Sequence, residues 1–324
     1  MKLSKFIFRT IRSFFSRKTP YFAHYCVTQR CNMTCHYCKI WQVHPPEVDI
    51  NTSKKIIDRL DKLGIAILSF TGGEPLLMNT IYDSINYAKS KGLFVRITSN
   101  GTMPQKSYEK LLNTNINAIS ISLDGIKGND IPMSKVGKKI LKTIDYIYKN
   151  KGKKIFSIST VLHSRNKKNV EEILKYINQK YPDLGVFVQP VVVGIGDLRV
   201  KTEKKVNPRF LRKHSKNLLN PDFFLKACEE YYHKKNFNWK CNGGEQFFDI
   251  KPNGNFWICQ DFKTKLNILD KDFFEKFNNK EIDFTQRNNC AGCTYSCYYI
   301  TQNSFNPKNM FSGFKKLLKY RKMY

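Results

Sequence analysis

Acidic side chains are the scarce component of this sequence: 26 Asp and Glu stand against 56 Lys and Arg, a formal net charge of +30. That shortage excludes a basic partner and suits a polyanion, either an anionic membrane or a nucleic acid. The competing account is a compositional bias, because Lys, Asn and Ile recur throughout and lysine ordinarily covers solvated faces. Long apolar runs are missing as well, so no bilayer-spanning helix is expected. A secretory leader needs an unbroken apolar segment, which the charges of MKLSKFIFRTIRSFFSRK interrupt. The ten cysteines are therefore expected to stay reduced in a cytoplasmic setting. Internal repeats and low-complexity tracts are absent, and 324 residues suffice for one large domain, or a large one with a small companion.

What is present begins with the termini. Leu3, Phe6, Ile7, Ile11, Phe14 and Phe15 recur at helical spacing opposite Lys2, Lys5, Arg9, Arg12 and Ser16, which predicts a basic amphipathic helix over residues 1–19. The tail 304–324 repeats the pattern, mixing Phe311, Phe314, Leu317 and Leu318 with Lys315, Lys316, Lys319, Arg321 and Lys322. Either the two segments pack on the protein's own core, or they attach it to the inner face of an anionic membrane; two such segments together favour peripheral attachment.

Between the termini, short β-rich runs alternate with helical patterns. YFAHYCV, IAILSFTG, LFVRITSNG, NINAISISLDG, KKIFSISTVL and GVFVQPVVV read as strands, while TSKKIIDRLDKLG, MNTIYDSINYAKSKG, KVGKKILKTIDYIYKN and KKNVEEILKYINQK read as helices. Repeated βα units predict an α/β fold over residues 20–200: parallel strands in a barrel or open arc, with functional residues at the carboxyl ends of the strands. Beyond about Val200 the alternation fails, and residues 201–303 read as a linker followed by a small cysteine-rich α+β unit, with a hairpin FFDIKPNGNFWIC turning at Pro252-Asn253-Gly254.

Three cysteines, Cys31, Cys35 and Cys38, fall within VTQRCNMTCHYCKIW directly after the first strand. Three thiolates on one loop leave one iron of a cubane cluster without a protein ligand and open to another molecule. Zinc is the competing metal, but a structural zinc site takes four ligands, usually as two separated pairs.

With this loop the chain resembles the radical S-adenosylmethionine (SAM) superfamily, over roughly Tyr21 to Val193. The resemblance implies a partial (β/α)6 barrel and a 4Fe-4S cluster on Cys31, Cys35 and Cys38, its open iron chelated by SAM. It places Tyr37 near the adenine. The family's second signature is matched by Thr71-Gly72-Gly73-Glu74-Pro75 after the second strand, where glycine would let backbone groups approach the methionyl ammonium. Further strand ends carry Asn100, Ser122, Asp124 and Asn166, which by resemblance surround the cofactor and substrate; their other reading is turn chemistry, which favours the same residue types. Ser159 and His163 read as core or turn. No residue is assigned a catalytic proton transfer. The implied chemistry is reductive cleavage of SAM to a 5'-deoxyadenosyl radical that abstracts a hydrogen atom, driven by a low-potential donor of the ferredoxin or flavodoxin type.

The second cysteine set, C-x12-G-x4-C over Cys241, Gly254 and Cys259 and C-x2-C-x3-C over Cys290, Cys293 and Cys297, resembles the twitch domain, the shorter relative of the SPASM domain. That implies one auxiliary 4Fe-4S cluster on Cys241, Cys259, Cys290 and Cys293, with Cys297 as a substitute; a structural zinc remains the alternative. Cys26 and Cys228 read as ordinary buried thiols. The resemblance leaves several substrates. A peptide is disfavoured because only about twenty residues precede the first strand, and the molybdenum-cofactor cyclase because the chain ends Lys322-Met323-Tyr324 without that enzyme's terminal Gly-Gly. Nucleic acid would suit the charge, but no recognisable RNA module is present. The reading that fits the basic termini is an oxidoreductase or bond-forming enzyme acting on a membrane-associated small molecule or lipid. Its alternatives are a peptide-, sugar- or RNA-modifying radical SAM enzyme and a non-catalytic iron-sulfur electron-transfer partner.

Overall fold

The alternation of apolar runs produces the expected parallel sheet. A computed structural model describes residues 3–16, 18–43, 47–126, 137–192, 204–214, 216–234, 237 and 239–309. Helix α1 (Leu3–Phe15) precedes β1 (Phe22–Thr28), followed by α2 (Ile50–Leu63), β2 (Ile67–Gly72), α3 (Ile81–Ser90), β3 (Phe94–Ser99), α4 (Gln105–Leu112), β4 (Ala118–Ser122), α5 (Lys138–Asn150), β5 (Ile155–Leu162), α6 (Lys167–Lys180) and β6 (Gly185–Pro190). Neighbouring strands from β1 to β6 pair in parallel. The one helix the sequence pattern did not separate is α4, whose eight residues bury only Tyr108 and Leu111, too few to establish a helical period.

Local chemistry fixes the element ends. Helix α2 starts where the Asp49 carboxylate accepts the Asn51 and Thr52 backbone N–H groups at 2.7 and 3.0 Å, an N-cap. It ends at Gly64, whose φ of +83° is left-handed, a C-terminal geometry that glycine adopts without strain. Ile56, Ile57, Leu60 and Leu63 form its buried face. Strand β5 alternates buried and half-buried residues along its whole length, whereas β1, at the centre of the sheet, is buried throughout.

The C-terminal region continues the same sheet. After α7 (Asp222–His233), β7 (Phe247–Ile250) pairs in parallel with β1, and β8 (Asn255–Trp257) and β9 (Lys263–Asn267) follow antiparallel, in the strand order β6-β5-β4-β3-β2-β1-β7-β8-β9. The hairpin turns where the Pro-Asn-Gly signal placed it, with Gly254 at φ +87°. The main apolar core runs through both parts, from Tyr25 and Phe70 to Phe248, Phe256 and Phe273. Short helices α8 (Phe273–Asn278) and α9 (Thr285–Asn288) and helix α10 (Ser296–Ser304) complete the described chain.

The N-terminal helix forms, but apart from Phe6, half-buried against Phe94, its inner face is not the apolar one. Arg9 is buried and Ser13 fully so, while Ile7, Phe8, Ile11, Phe14 and Phe15 are exposed. The side chains of Lys2 and Leu3, and the basic tail from residue 310, lie outside the described residues. Among the described residues no helix is long and apolar enough to cross a membrane.

Candidate functional site

The carboxyl ends of β1 and β2 meet at the first cysteine loop. Gly73 N–H donates to the Thr28 carbonyl and Glu74 N–H to the Arg30 carbonyl, both at 2.8 Å. A Cβ at Gly72 would lie 2.0 Å from the Thr28 oxygen, and one at Gly73 2.0 Å from the Arg30 oxygen. The two glycines are thus required by contact between β2 and the strand that launches the cysteine loop, a demand made by the protein itself before any ligand is considered. Within the loop Cys35 is buried and Cys31 and Cys38 half-buried. The Met33 N–H donates to the Cys31 sulfur at 3.4 Å, and the Cys38 N–H to the Cys35 carbonyl at 3.0 Å.

The remaining strand-end candidates brace this loop. The Tyr37 hydroxyl donates to Asp124 Oδ2 at 2.5 Å, and Asp124 Oδ1 accepts the Val161 N–H at 2.9 Å. Burial, and then the neighbouring Asp124 carboxylate, push Tyr37 well above the ordinary tyrosine range, so it stays a neutral donor. Asn166 donates to the Val161 carbonyl at 2.7 Å and accepts from the His163 N–H at 2.8 Å. Glu74 is fully buried; its oxygens accept from the Leu76 N–H at 3.2 Å and the Asn100 N–H at 2.7 Å, while the Asn100 side chain donates to Asn32 at 2.7 Å. Ser122 is buried at the end of β4. The fully buried His163 packs its ring against those of His36 and Tyr37, with centroids 4.5 and 5.7 Å away.

The second cysteine set converges on a cavity of about 400 Å3, lined by Cys241, Cys259, Cys290 and Cys293 together with Arg287, Lys18 and Lys240. Three loops curl around sulfur in the same way: Gly243 N–H donates to Cys241, Asp261 N–H to Cys259 and Gly292 N–H to Cys290, at 3.4, 3.5 and 3.3 Å. Amide donors aimed at sulfur, with nearby cations, suit a thiolate-bound cluster, whose charge they offset. Burial pushes the bare thiols the other way: Cys241 rises to about 11, Cys259 and Cys293 rise well above the usual thiol range, and Cys290 is also raised. Four half-buried thiols whose ionisation burial disfavours, gathered around amide donors, are a donor set that a metal centre completes by displacing the protons. Cys297 is absent from this cavity lining. Its half-buried thiol, raised to about 12 by burial, interacts with Asp249 and Arg96. Cys26 and Cys228 are buried on β1 and α7. Among the described residues, which include all ten cysteines, none forms a disulfide, and no three His, Cys, Asp or Glu side chains converge on a position for a single metal ion.

The residues that sequence reasoning missed lie between the two cysteine sets. A smaller cavity of about 140 Å3 is lined by Cys26, Cys38, Thr71, Gly72, Asp249, Lys251 and Gln260. The Tyr298 hydroxyl, which faces the larger cavity, donates to Asp249 and accepts the Gln260 N–H at 3.1 Å. Lys251 is buried 3.7 Å from Asp249 and lies over the Trp257 ring. Asp249 and Lys251 thus line the smaller cavity, and the Tyr298 bond to Asp249 joins them to the lining of the larger one. The signal available was the placement of Asp and Lys at alternate positions in an otherwise apolar run, FFDIK; only the pairing of β7 with β1 turns both inward.

Sheet topology, the cysteine loop and the glycine crossing together define a radical SAM fold. Residues 25–177 match the Radical SAM superfamily, and this part of the chain is a radical SAM domain. An uncharacterized protein of Methanocaldococcus jannaschii is 34% identical over 161 residues, covering 47% of this chain and 56% of the relative. A GTP 3',8-cyclase of Clostridium botulinum is 29% identical over 213 residues, covering 58% of this chain and 62% of the relative. The chain thus spans less than two thirds of the length of either. Among solved structures, Streptococcus suis SuiB bound to S-adenosylmethionine superposes with a TM-score of 0.62 at 14% identity, covering 83% of this chain and 68% of that one. The enzyme anSMEcpe with bound AdoMet and a peptide superposes with a TM-score of 0.57 at 17% identity, covering 94% of this chain and 100% of that one. At these identities the likenesses define the fold.

Proposed function

We propose that this chain is a radical SAM enzyme with one auxiliary 4Fe-4S cluster, acting by hydrogen abstraction on a membrane-associated small molecule or lipid. The observation that carries this reading is a hydrogen-bonded link between the two cysteine sets: Asp249 and Gln260, which line one cavity with Cys38, bond to Tyr298, which lines the other with Cys241, Cys259, Cys290 and Cys293. Cys31, Cys35 and Cys38 hold the first cluster; Cys241, Cys259, Cys290 and Cys293 hold the second. When bound, the first cluster and SAM supply one-electron cleavage to methionine and a 5'-deoxyadenosyl radical, with the electron coming from a ferredoxin- or flavodoxin-type donor.

The chain's own residues position and insulate. The glycine crossing presses the end of β2 against the cysteine loop, and Glu74 and Asn100 fix the neighbouring strand end. Asp124 holds Tyr37 in one orientation. Burial of Cys35, Tyr37, Glu74, Asn100 and Asp124 keeps water from the inner side of the cysteine loop, and the Asp249–Lys251 pair supplies opposite charges nearby for orienting a polar substrate group. The neighbouring auxiliary set gives an electron from a substrate radical somewhere to go, which would make the net reaction an oxidation.

The test compares anaerobic cells expressing the wild type with cells expressing Cys38→Ala. Release of 5'-deoxyadenosine by the purified wild type, lost in the variant, is expected, together with a lipid mass change seen only with the wild type. A second reading, peptide modification, is favoured by the solved structure of SuiB with a precursor peptide, which superposes at a TM-score of 0.63. Unchanged lipid extracts alongside active SAM cleavage would direct the search to peptides and soluble sugars. Absence of cleavage with every substrate pool would favour a non-catalytic electron-transfer role.

A further inference from the structure

We propose that α1 is a bilayer-docking helix held in a fixed orientation, its basic face clamped to the protein and its apolar face turned outward to an anionic phospholipid surface. The inference deepens the membrane part of the proposed function and rests on it, though not on the radical chemistry. Ile7, Phe8, Ile11, Phe14 and Phe15 are 46, 66, 51, 36 and 81% exposed, and only Tyr232 joins them as an exposed large apolar side chain among the described residues. Their spacing of three and four, with Ser4 also exposed, makes one continuous stripe along the helix.

The opposite face explains why the stripe cannot roll inward. Arg9 is buried and donates to the Ile65 carbonyl at 2.7 Å and to the carbonyl and carboxylate of Asp61 at 2.8 Å each. Arg12 donates to the carbonyls of Gly64 at 2.8 Å and Pro20 at 3.0 Å, and Lys5 grips the Asp61 carboxylate at 2.8 and 2.9 Å and the Lys91 carbonyl at 3.1 Å. Most of these acceptors belong to the C-terminal end of α2, where unsatisfied carbonyls and the helix dipole favour cations. Rotating α1 to bury Phe8, Phe14 and Phe15 would strand Arg9 and Arg12 and take a donor from each of those carbonyls. An amphipathic helix docked for stability alone would use the reverse orientation.

Charge selects the occupant. No acidic residue occurs in the first 46 positions, Lys18 and Lys62 are exposed, and Lys18 also lines the auxiliary cavity. A net charge of +30 on each chain opposes self-association through this face. A basic chain presenting a stripe of Phe and Ile one helix wide matches the interfacial mode of binding anionic lipid.

The experiment is flotation of the full-length, cluster-loaded protein with vesicles of phosphatidylcholine alone or mixed with phosphatidylglycerol. Phe8→Ser/Phe15→Ser changes two well-exposed side chains, and iron content and circular dichroism report whether it is folded. The wild type should float with the mixed vesicles and not with phosphatidylcholine alone, and the double variant should lose about tenfold or more of its bound fraction. Equal flotation of the two proteins overturns the proposal by moving binding to another basic surface, and no flotation of either overturns it as well. A concentration-dependent dimer abolished by the double variant, without vesicle binding, would assign the face to a second copy instead. In each case 5'-deoxyadenosine release reads the enzymatic proposal separately.

Discussion

Replacing Gly73 by alanine should separate the cysteine loop from β2 without touching a cysteine. The added Cβ would lie 2.0 Å from the Arg30 carbonyl oxygen and 2.8 Å from that of Gln29, the first about 1 Å or more inside ordinary carbon–oxygen contact. Both obstacles are backbone, so no side chain can rotate away. Relief requires the strand end to move, breaking the hydrogen bonds from Gly73 N to Thr28 O and from Glu74 N to Arg30 O. Two backbone bonds at about 1 kcal/mol each, with about 1–2 kcal/mol of residual strain, are offset by less than about 1 kcal/mol from the stiffer unfolded chain. The net loss is about 2–4 kcal/mol, concentrated where Cys31 begins. Chemical denaturation and iron content after anaerobic reconstitution are the assays, with Gly152→Ala as control for backbone strain alone: that glycine has a positive φ, +55°, which Gly73 lacks, and a Cβ there meets nothing within 4 Å. Wild-type stability and iron content in Gly73→Ala would refute the reasoning.

Two further outcomes follow from the buried groups. His24 is enclosed with neither ring nitrogen hydrogen-bonded among the described residues, and burial pulls it down to about 4 from 6.5. A base with a depressed folded value contributes stability that is complete above pH 6.5 and lost as pH falls toward 4, so moving from pH 7 to pH 5 should cost about 2 kcal/mol through this group. Denaturation midpoints should show that drop reduced in His24→Leu; an unchanged drop would show that other groups carry it. At the auxiliary set, Cys259→Ser should remove about four irons per chain while Cys297→Ser leaves the count unchanged. Iron loss in Cys297→Ser alone would reverse the ligand assignment.

How far the site was legible depends on whether its residues act through sequence neighbours. The helix over 167–180 was read to its observed ends because its apolar period was unbroken. The loop from Cys31 to Cys38 lies within one turn of chain, so its ligand spacing is written in order along the sequence. The link between the two cavities is different: Asp249, Gln260 and Tyr298 come from separate elements, and no period or spacing joins them. The apolar stripe of α1 was legible in Ile7, Ile11, Phe14 and Phe15, but Phe6, grouped with them, packs on Phe94 while Phe8 joins the exposed face; nor was the direction legible, because a helical pattern gives two faces without saying which is turned inward.

The sequence alone thus determined the alternating strands and helices, the two cysteine sets and the signature glycines, since each rests on local period, local spacing or turn chemistry. Only the tertiary structure decided that β7 extends the sheet beside β1, bringing Asp249 and Lys251 to the smaller cavity, that the glycines serve a backbone crossing, and that α1 turns Phe8, Phe14 and Phe15 outward. The reason is physical: strand pairing and the carbonyls at the end of α2 are contacts between residues far apart in the chain, and their energies outweigh the local preference of an apolar face for burial.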